Sequence, residues 1–136
     1  MNECVFCKII KGEAPTNKIY EDGNFFALLD INPVNPGHSL LIIKNHHKNI
    51  YETPDEILGK IGPVLKKIST AVKTGVGADG INIIMNNEEI SGQMIPHTHF
   101  HIIPRFADDG LRHWPGKPYA NKEESSKIAE KIKDNF

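Results

Sequence analysis

Three histidines, His97, His99 and His101, occupy alternate positions in the run Pro96-His97-Thr98-His99-Phe100-His101-Ile102-Ile103-Pro104. A period of two is the period of a strand, which places all three imidazoles on one face and sends Phe100 and Ile102 to the other. A helix would scatter them, because positions i and i+2 share no face. Imidazole changes charge near neutral pH, so a row holding three of the chain's seven histidines reads as a site rather than a solvated strand face. Two chemistries suit it. His-x-His is a common ligand pair for a catalytic zinc with one open position. The outer rings, however, lie roughly 13 Å apart at strand rise, which is awkward for one ion. In the other chemistry a neutral imidazole attacks a phosphorus centre and carries the group as a phosphoramidate-type intermediate, while its neighbours orient it or supply protons and charge. Ser91-Gly92-Gln93, just upstream, suits the second: glycine lets backbone approach an anion, and the Gln amide can donate to a phosphate oxygen.

The only two cysteines form Cys4-x-x-Cys7. In a reducing compartment that spacing points to metal or redox use rather than a structural disulfide. A closed zinc site needs two more ligands, which His97 and either His46 or His47 can supply. Two inert buried thiols and a redox pair are the alternatives, although no βαβ pattern surrounds the pair.

Elements that would position these groups follow from the pattern. Lys18–Glu21 reads as a strand, Asp22-Gly23 as a hairpin turn and 24–30 as the return strand. His38 to Ile43 reads as a buried central strand with His38 at its mouth, after the rigid loop Pro33-Val34-Asn35-Pro36-Gly37. Thr53-Pro54-Asp55-Glu56 has the form of a helix start, with Thr53 as N-cap. The apolar stripe Ile57, Leu58, Ile61, Leu65, Ile68, Val72 then keeps helical spacing, with Gly62-Pro63 predicting a kink or two abutting helices. Strands at 81–85 and over the histidine row follow, and a last helix starts near Lys122, with Asn121 and Glu124 as its capping box. The order β, β, β, α, β, β predicts an α+β fold: an antiparallel sheet of about five strands, one long crossing helix and a C-terminal helix.

A chain of 136 residues fits one domain over 1–136 and can bury a real core. With net charge −1 there is no electrostatic footprint for nucleic acid or an anionic membrane. No basic-then-apolar leader stands at the N-terminus and no apolar run reaches membrane-spanning length, so the expected location is the cytoplasm.

The triad strand His97-Thr98-His99-Phe100-His101, Gly92-Gln93 before it, and Asp30-Ile31-Asn32-Pro33 with Pro36-Gly37-His38-Ser39-Leu40 together resemble the histidine triad (HIT) family over roughly residues 4–106, with 107–136 as an extension. The opening Cys4-Val5-Phe6-Cys7 is similar to that of zinc-containing bacterial members. The resemblance implies that His99 attacks the α-phosphate of a nucleotide conjugate and that the nucleotidyl-histidine is then hydrolysed. It implies that His101 contacts phosphate and helps stabilise charge or protonates the leaving group, and that His38 orients from behind. Asp30 would bind ribose hydroxyls, Ile31 would lie near the base, and Asn86, Gly92 and Gln93 would bind phosphate or the leaving-group side. Zinc would be structural, held by Cys4, Cys7, His46 and His97, with no organic cofactor. The implied substrate is a purine nucleoside phosphoramidate or related conjugate, and the implied assembly a homodimer sharing a continuous sheet. Dinucleoside polyphosphate hydrolysis and a nucleotide-binding module with little catalysis are the alternatives. Met94 stands where many relatives have Ser or Thr, which removes one hydroxyl donor.

Overall fold

The computed structural model describes residues 4–136; Met1 to Glu3, part of the N-terminus in which no leader is expected, lie outside the described residues. The described chain opens with a six-residue helix, α1 (Val5–Ile10). Strands β1 (Lys18–Glu21) and β2 (Phe25–Leu29) form a hairpin whose turn is closed by Asp22, its Oδ1 accepting the Asn24 and Phe25 N–H groups at 2.8 Å each. Next come β3 (Ser39–Ile43), the helices α2 (Asp55–Leu58) and α3 (Ile61–Val76), and β4 (Gly80–Ile84). The chain ends with β5 (His99–Arg105) and α4 (Lys122–Lys133). All neighbouring strand pairs are antiparallel, in the order β1-β2-β3-β5-β4, so β5 lies inside the sheet between β3 and β4. This is the expected α+β architecture.

Alternation along the strands divides the sheet into two apolar faces. Phe25, Ala27, Leu41, Ile43, Phe100 and Ile102 face α3, where Ile61, Ile68 and Val72 complete a core flanked by Ile57, Leu58 and Leu65. Each fully buried aliphatic side chain here contributes about 1.5–3 kcal/mol. The opposite face carries Phe26, Leu28, Leu40 and Ile42, covered by Phe6 of α1. Register places His101 opposite Leu40 and His99 opposite Ile42, so both histidines belong to this second face.

Two local expectations change. The helical interruption produces two abutting helices, but the break falls at Gly59-Lys60; Gly62 and Pro63 sit in the first turn of α3, where the missing proline N–H would be unpaired anyway. Thr53 is not an N-cap. Its buried hydroxyl donates to the Asn49 carbonyl at 2.8 Å and meets Thr98 Oγ1 at 2.9 Å, tying this turn to the residue between two histidines. Asn121 does cap α4, accepting the Glu124 N–H at 2.8 Å.

Gly37, just before His38, has φ +99°, and a Cβ there would lie 2.8 Å from Val76 Cγ1 at the end of α3. Gly37→Ala is therefore expected to cost about 2 kcal/mol, from backbone strain plus overpacking. Urea unfolding checks this, and an unchanged midpoint would refute it.

Candidate active site and metal centre

His99 is buried, and its Nδ1 lies 2.7 Å from the His97 carbonyl oxygen. A carbonyl only accepts, so Nδ1 carries the proton and Nε2 keeps a free lone pair. His101 has the opposite tautomer, set by a chain of contacts starting in the loop before β3. The Val34 N–H donates to His38 Nδ1 at 3.0 Å, so the proton of His38 is on Nε2. That Nε2 lies 2.9 Å from His101 Nδ1, which must accept, leaving His101 with its proton on Nε2. The second face thus presents one imidazole equipped to attack and, 5.1 Å away between ring centres, another equipped to donate a proton.

Both rings line a cavity of about 450 Å³. Its wall near the β2–β3 loop contains Asp30, Ile31, Asn32 and His38; Val5, Phe6 and Ile9 of α1 form an apolar side with Leu28, Leu40 and Ile95; Gly92 and Met94 stand at the loop side. Asp30 is braced by its own turn, with Oδ1 accepting the Asn32 N–H at 2.8 Å. Ile31 and Met94 are largely exposed at the rim, 90% and 84%, which leaves apolar surface free for a flat ligand. An apolar slot ending in one carboxylate and three imidazoles offers apolar surface to a flat ring and polar groups to a hydroxylated or anionic end.

Burial lowers the pKa of His38, His99 and His101 from the ordinary imidazole value, with Asp30 partly opposing in each case. His38 is accordingly neutral, and its 3.5 Å approach to Asp30 Oδ2 is a polar contact rather than an ion pair. His97 is pushed down to about 4, mainly by burial. A histidine kept neutral by the fold binds its proton only after unfolding. Its stabilisation is present above pH 6.5 and is lost as pH falls from there toward the lowered folded value. Thermal melts of metal-free protein are therefore expected to be flat from pH 8 to 7 and to decline between about 6.5 and 4. A melting temperature constant down to pH 4 would overturn this.

Sγ of Cys4 and Cys7 and Nδ1 of His46 and His97 all lie within 4.8 Å of one another. His97 Nδ1 is 3.4 Å from Cys4 Sγ, 3.6 Å from Cys7 Sγ and 3.1 Å from His46 Nδ1, and Cys7 Sγ is 3.4 Å from His46 Nδ1. Ligands at zinc bond lengths on a tetrahedron stand roughly 3.3–3.8 Å apart, so the donor set fits that ion. His97 Nε2 also donates to the Ile43 carbonyl at 2.6 Å, which turns the Nδ1 lone pair toward the other three ligands. Burial, then Cys4, pushes the Cys7 thiol up; a divalent cation would reverse that and hold it as thiolate. Asp30, His38 and His101 form a second cluster of possible ligands. Metal binding there would need the His38 lone pair on Nε2, putting an Nδ1 proton against the Val34 N–H, so this cluster is a hydrogen-bond relay.

Residues 11–108 match the HIT domain. The chain belongs to the HIT domain family. It is 38% identical over 135 residues to an adenosine 5'-monophosphoramidase from Schizosaccharomyces pombe, covering 96% of this chain and 98% of that one. Identity to an adenylylsulfatase from Arabidopsis thaliana is 46% over 110 residues, 81% of this chain, so the HIT chain spans little more than half (56%) of that relative. A zinc-bound histidine triad family protein from Mycobacterium smegmatis has the same fold, with a TM-score of 0.77, 34% identity and 99% of each chain covered. Among the described residues no helix of this HIT protein is long and apolar enough to cross a membrane.

The fold brings Asp30, Ile31, His38, Gly92, His99 and His101 to one cavity, and Cys4, Cys7, His46 and His97 to one centre. Gln93 and Asn86 stand apart. Gln93 is buried, with Oε1 accepting the Glu88 N–H at 2.8 Å and Nε2 donating to the Lys48 carbonyl at 2.6 Å. Its amide braces a loop in which Glu88 is held at φ 74° and Gly92 at φ 102°. Asn86 Nδ2 reaches the Gly92 carbonyl at 3.5 Å and lies 3.4 Å from where a Gly92 Cβ would be. Phe6, Val5 and Ile9 line this HIT site unannounced by their types. Only their place between and beside Cys4 and Cys7 could have marked them.

Proposed function

We propose that the protein hydrolyses nucleoside 5'-phosphoramidates, or related conjugates of purine nucleoside monophosphates, through a nucleotidyl-histidine on His99. In the first step the His99 Nε2 lone pair forms a bond to the α-phosphorus while the bond from phosphorus to the leaving group breaks. The departing nitrogen or oxygen takes the proton from His101 Nε2, whose tautomer His38 holds. Water then attacks phosphorus, giving one proton back to His101 Nε2 as the N–P bond breaks, and a nucleoside monophosphate is released with both histidines restored. Asp30 binds the ribose hydroxyls, Ile31 lies beside the base and Gly92 admits phosphate close to the backbone. Gln93 and Asn86 act through Gly92, by keeping its loop in place. Cys4, Cys7, His46 and His97 would hold zinc, which would cross-link the N-terminal turn to the sheet and take no part in bond making.

The observations that carry this reading are the contacts of His99 Nδ1 with the His97 carbonyl and of His101 Nδ1 with His38 Nε2, which assign the two neutral rings opposite tautomers. The names of the two enzyme relatives, a phosphoramidase of adenosine 5'-monophosphate and an adenylylsulfatase, support an adenylyl group as the unit transferred. Mass spectrometry of protein quenched while turning over adenosine 5'-phosphoramidate is expected to find an adenylyl adduct on His99. Turnover with no adduct on any histidine would reject the covalent route. The assembly is read as a homodimer, as the family resemblance implies; in support, among the described residues β4 pairs with β5 alone, and Ile83 on this edge strand is about half exposed.

A further inference from the structure

His97 belongs to both sites at once. Its ring faces Cys4, Cys7 and His46, while its carbonyl oxygen receives the His99 Nδ1 proton at 2.7 Å. Phe6 makes a second bridge. It stands between Cys4 and Cys7 in sequence, lines the cavity, and packs edge-on against His97 at 5.8 Å and His99 at 5.0 Å between ring centres. Among the described residues, the backbone hydrogen bonds of α1 stay within the helix and the turn after it, none reaching a strand. A six-residue helix has little stability of its own, so its position depends on side-chain packing and on whatever joins its two cysteines to the sheet. Val5, Phe6 and Ile9 of that helix are one wall of the cavity.

We propose that the metal centre and the nucleoside cavity are one coupled unit, so that zinc and a nucleoside monophosphate each tighten the binding of the other. Zinc fixes α1 and the His97 ring; the fixed helix holds the apolar wall against the base, and the fixed His97 carbonyl holds the ring of His99. A nucleotide packed against the wall in turn resists the departure of α1 and so of Cys4 and Cys7. Binding free energies couple reciprocally, so one factor describes both directions. The proposal rests on the nucleotide reading above and adds to it a dependence on metal.

The test uses the zinc-loaded full-length protein. Competition with a chromophoric chelator reads zinc affinity with and without saturating AMP, and calorimetry reads AMP binding to the same protein. AMP is expected to tighten zinc binding by about tenfold, a typical coupling factor. Phe6→Ala, which keeps all four ligands, is expected to shrink that factor at least by half while zinc is still bound; an undiminished factor would overturn the role given to α1. The wild-type competition stands whether or not that variant folds. Zinc affinity indifferent to bound AMP would overturn the coupling and leave the nucleotide reading intact. Failure of AMP to bind the zinc-loaded protein would instead sink the nucleotide reading and this inference with it.

Discussion

His99→Asn is expected to lower kcat by about 10⁴-fold or more, while AMP still binds within a few-fold of its normal affinity. Asparagine can donate its amide N–H toward the His97 carbonyl, as His99 Nδ1 does, but offers no lone pair comparable to imidazole Nε2. The apolar wall and Asp30, which carry the nucleoside in this reading, are untouched. His101→Asn removes the proton donor rather than the nucleophile and is expected to cost about 10²–10⁴-fold. That loss should shrink for conjugates whose leaving group departs without a proton. Steady-state kinetics with calorimetry separates the two variants. Turnover of His99→Asn within tenfold of normal would eliminate His99 as nucleophile.

Removal of zinc carries the largest expected effect on stability. A metal present at about a thousand times its dissociation constant contributes about 4 kcal/mol. For a chain of this length that corresponds to a fall in Tm of about 10–20 °C. Chelation followed by calorimetry should show it, and added zinc should restore it. Cys7→Ser should show the same fall without restoration, since one of four ligands is gone. An equal Tm in loaded and chelated protein would mean that the four side chains hold nothing of structural weight. If instead zinc were the Lewis acid of the reaction, chelation would abolish turnover at saturating substrate in protein that is still folded. The expected kcat under those conditions is lowered but still measurable, because a looser His97 carbonyl holds the His99 ring less firmly.

Much of the site was legible because strand periodicity is a strong constraint. His99 and His101 could share a face, opposite Phe100 and Ile102, only if that segment were a strand, and the register with Leu40 and Ile42 agrees. The apolar stripe from Ile57 to Val72 was legible for the same reason at helical period. What periodicity does not contain is the competition for each polar group. Thr53 had the composition of an N-cap, yet a buried hydroxyl took the nearer partners Asn49 and Thr98. Gln93 had the type of a phosphate donor, yet both ends of its amide are engaged by the backbone of Lys48 and Glu88.

Residue types and spacing by themselves determined the kind of chemistry present: alternate imidazoles on a strand, two thiols three positions apart, a glycine where an anion can approach backbone. These are local properties, set by covalent geometry within a few residues. Tertiary structure alone decided which nitrogen of each ring holds its proton. The His97 carbonyl, the Val34 N–H and His38 act on those rings through contacts that only folding creates, over as many as 63 positions between His38 and His101. Folding also brought His46 beside Cys7 and His97, as the family resemblance implies, and made Phe6 a neighbour of both sites. Identity of a side chain sets what it can donate or accept; its surroundings, assembled from distant parts of the chain, set which of those it does.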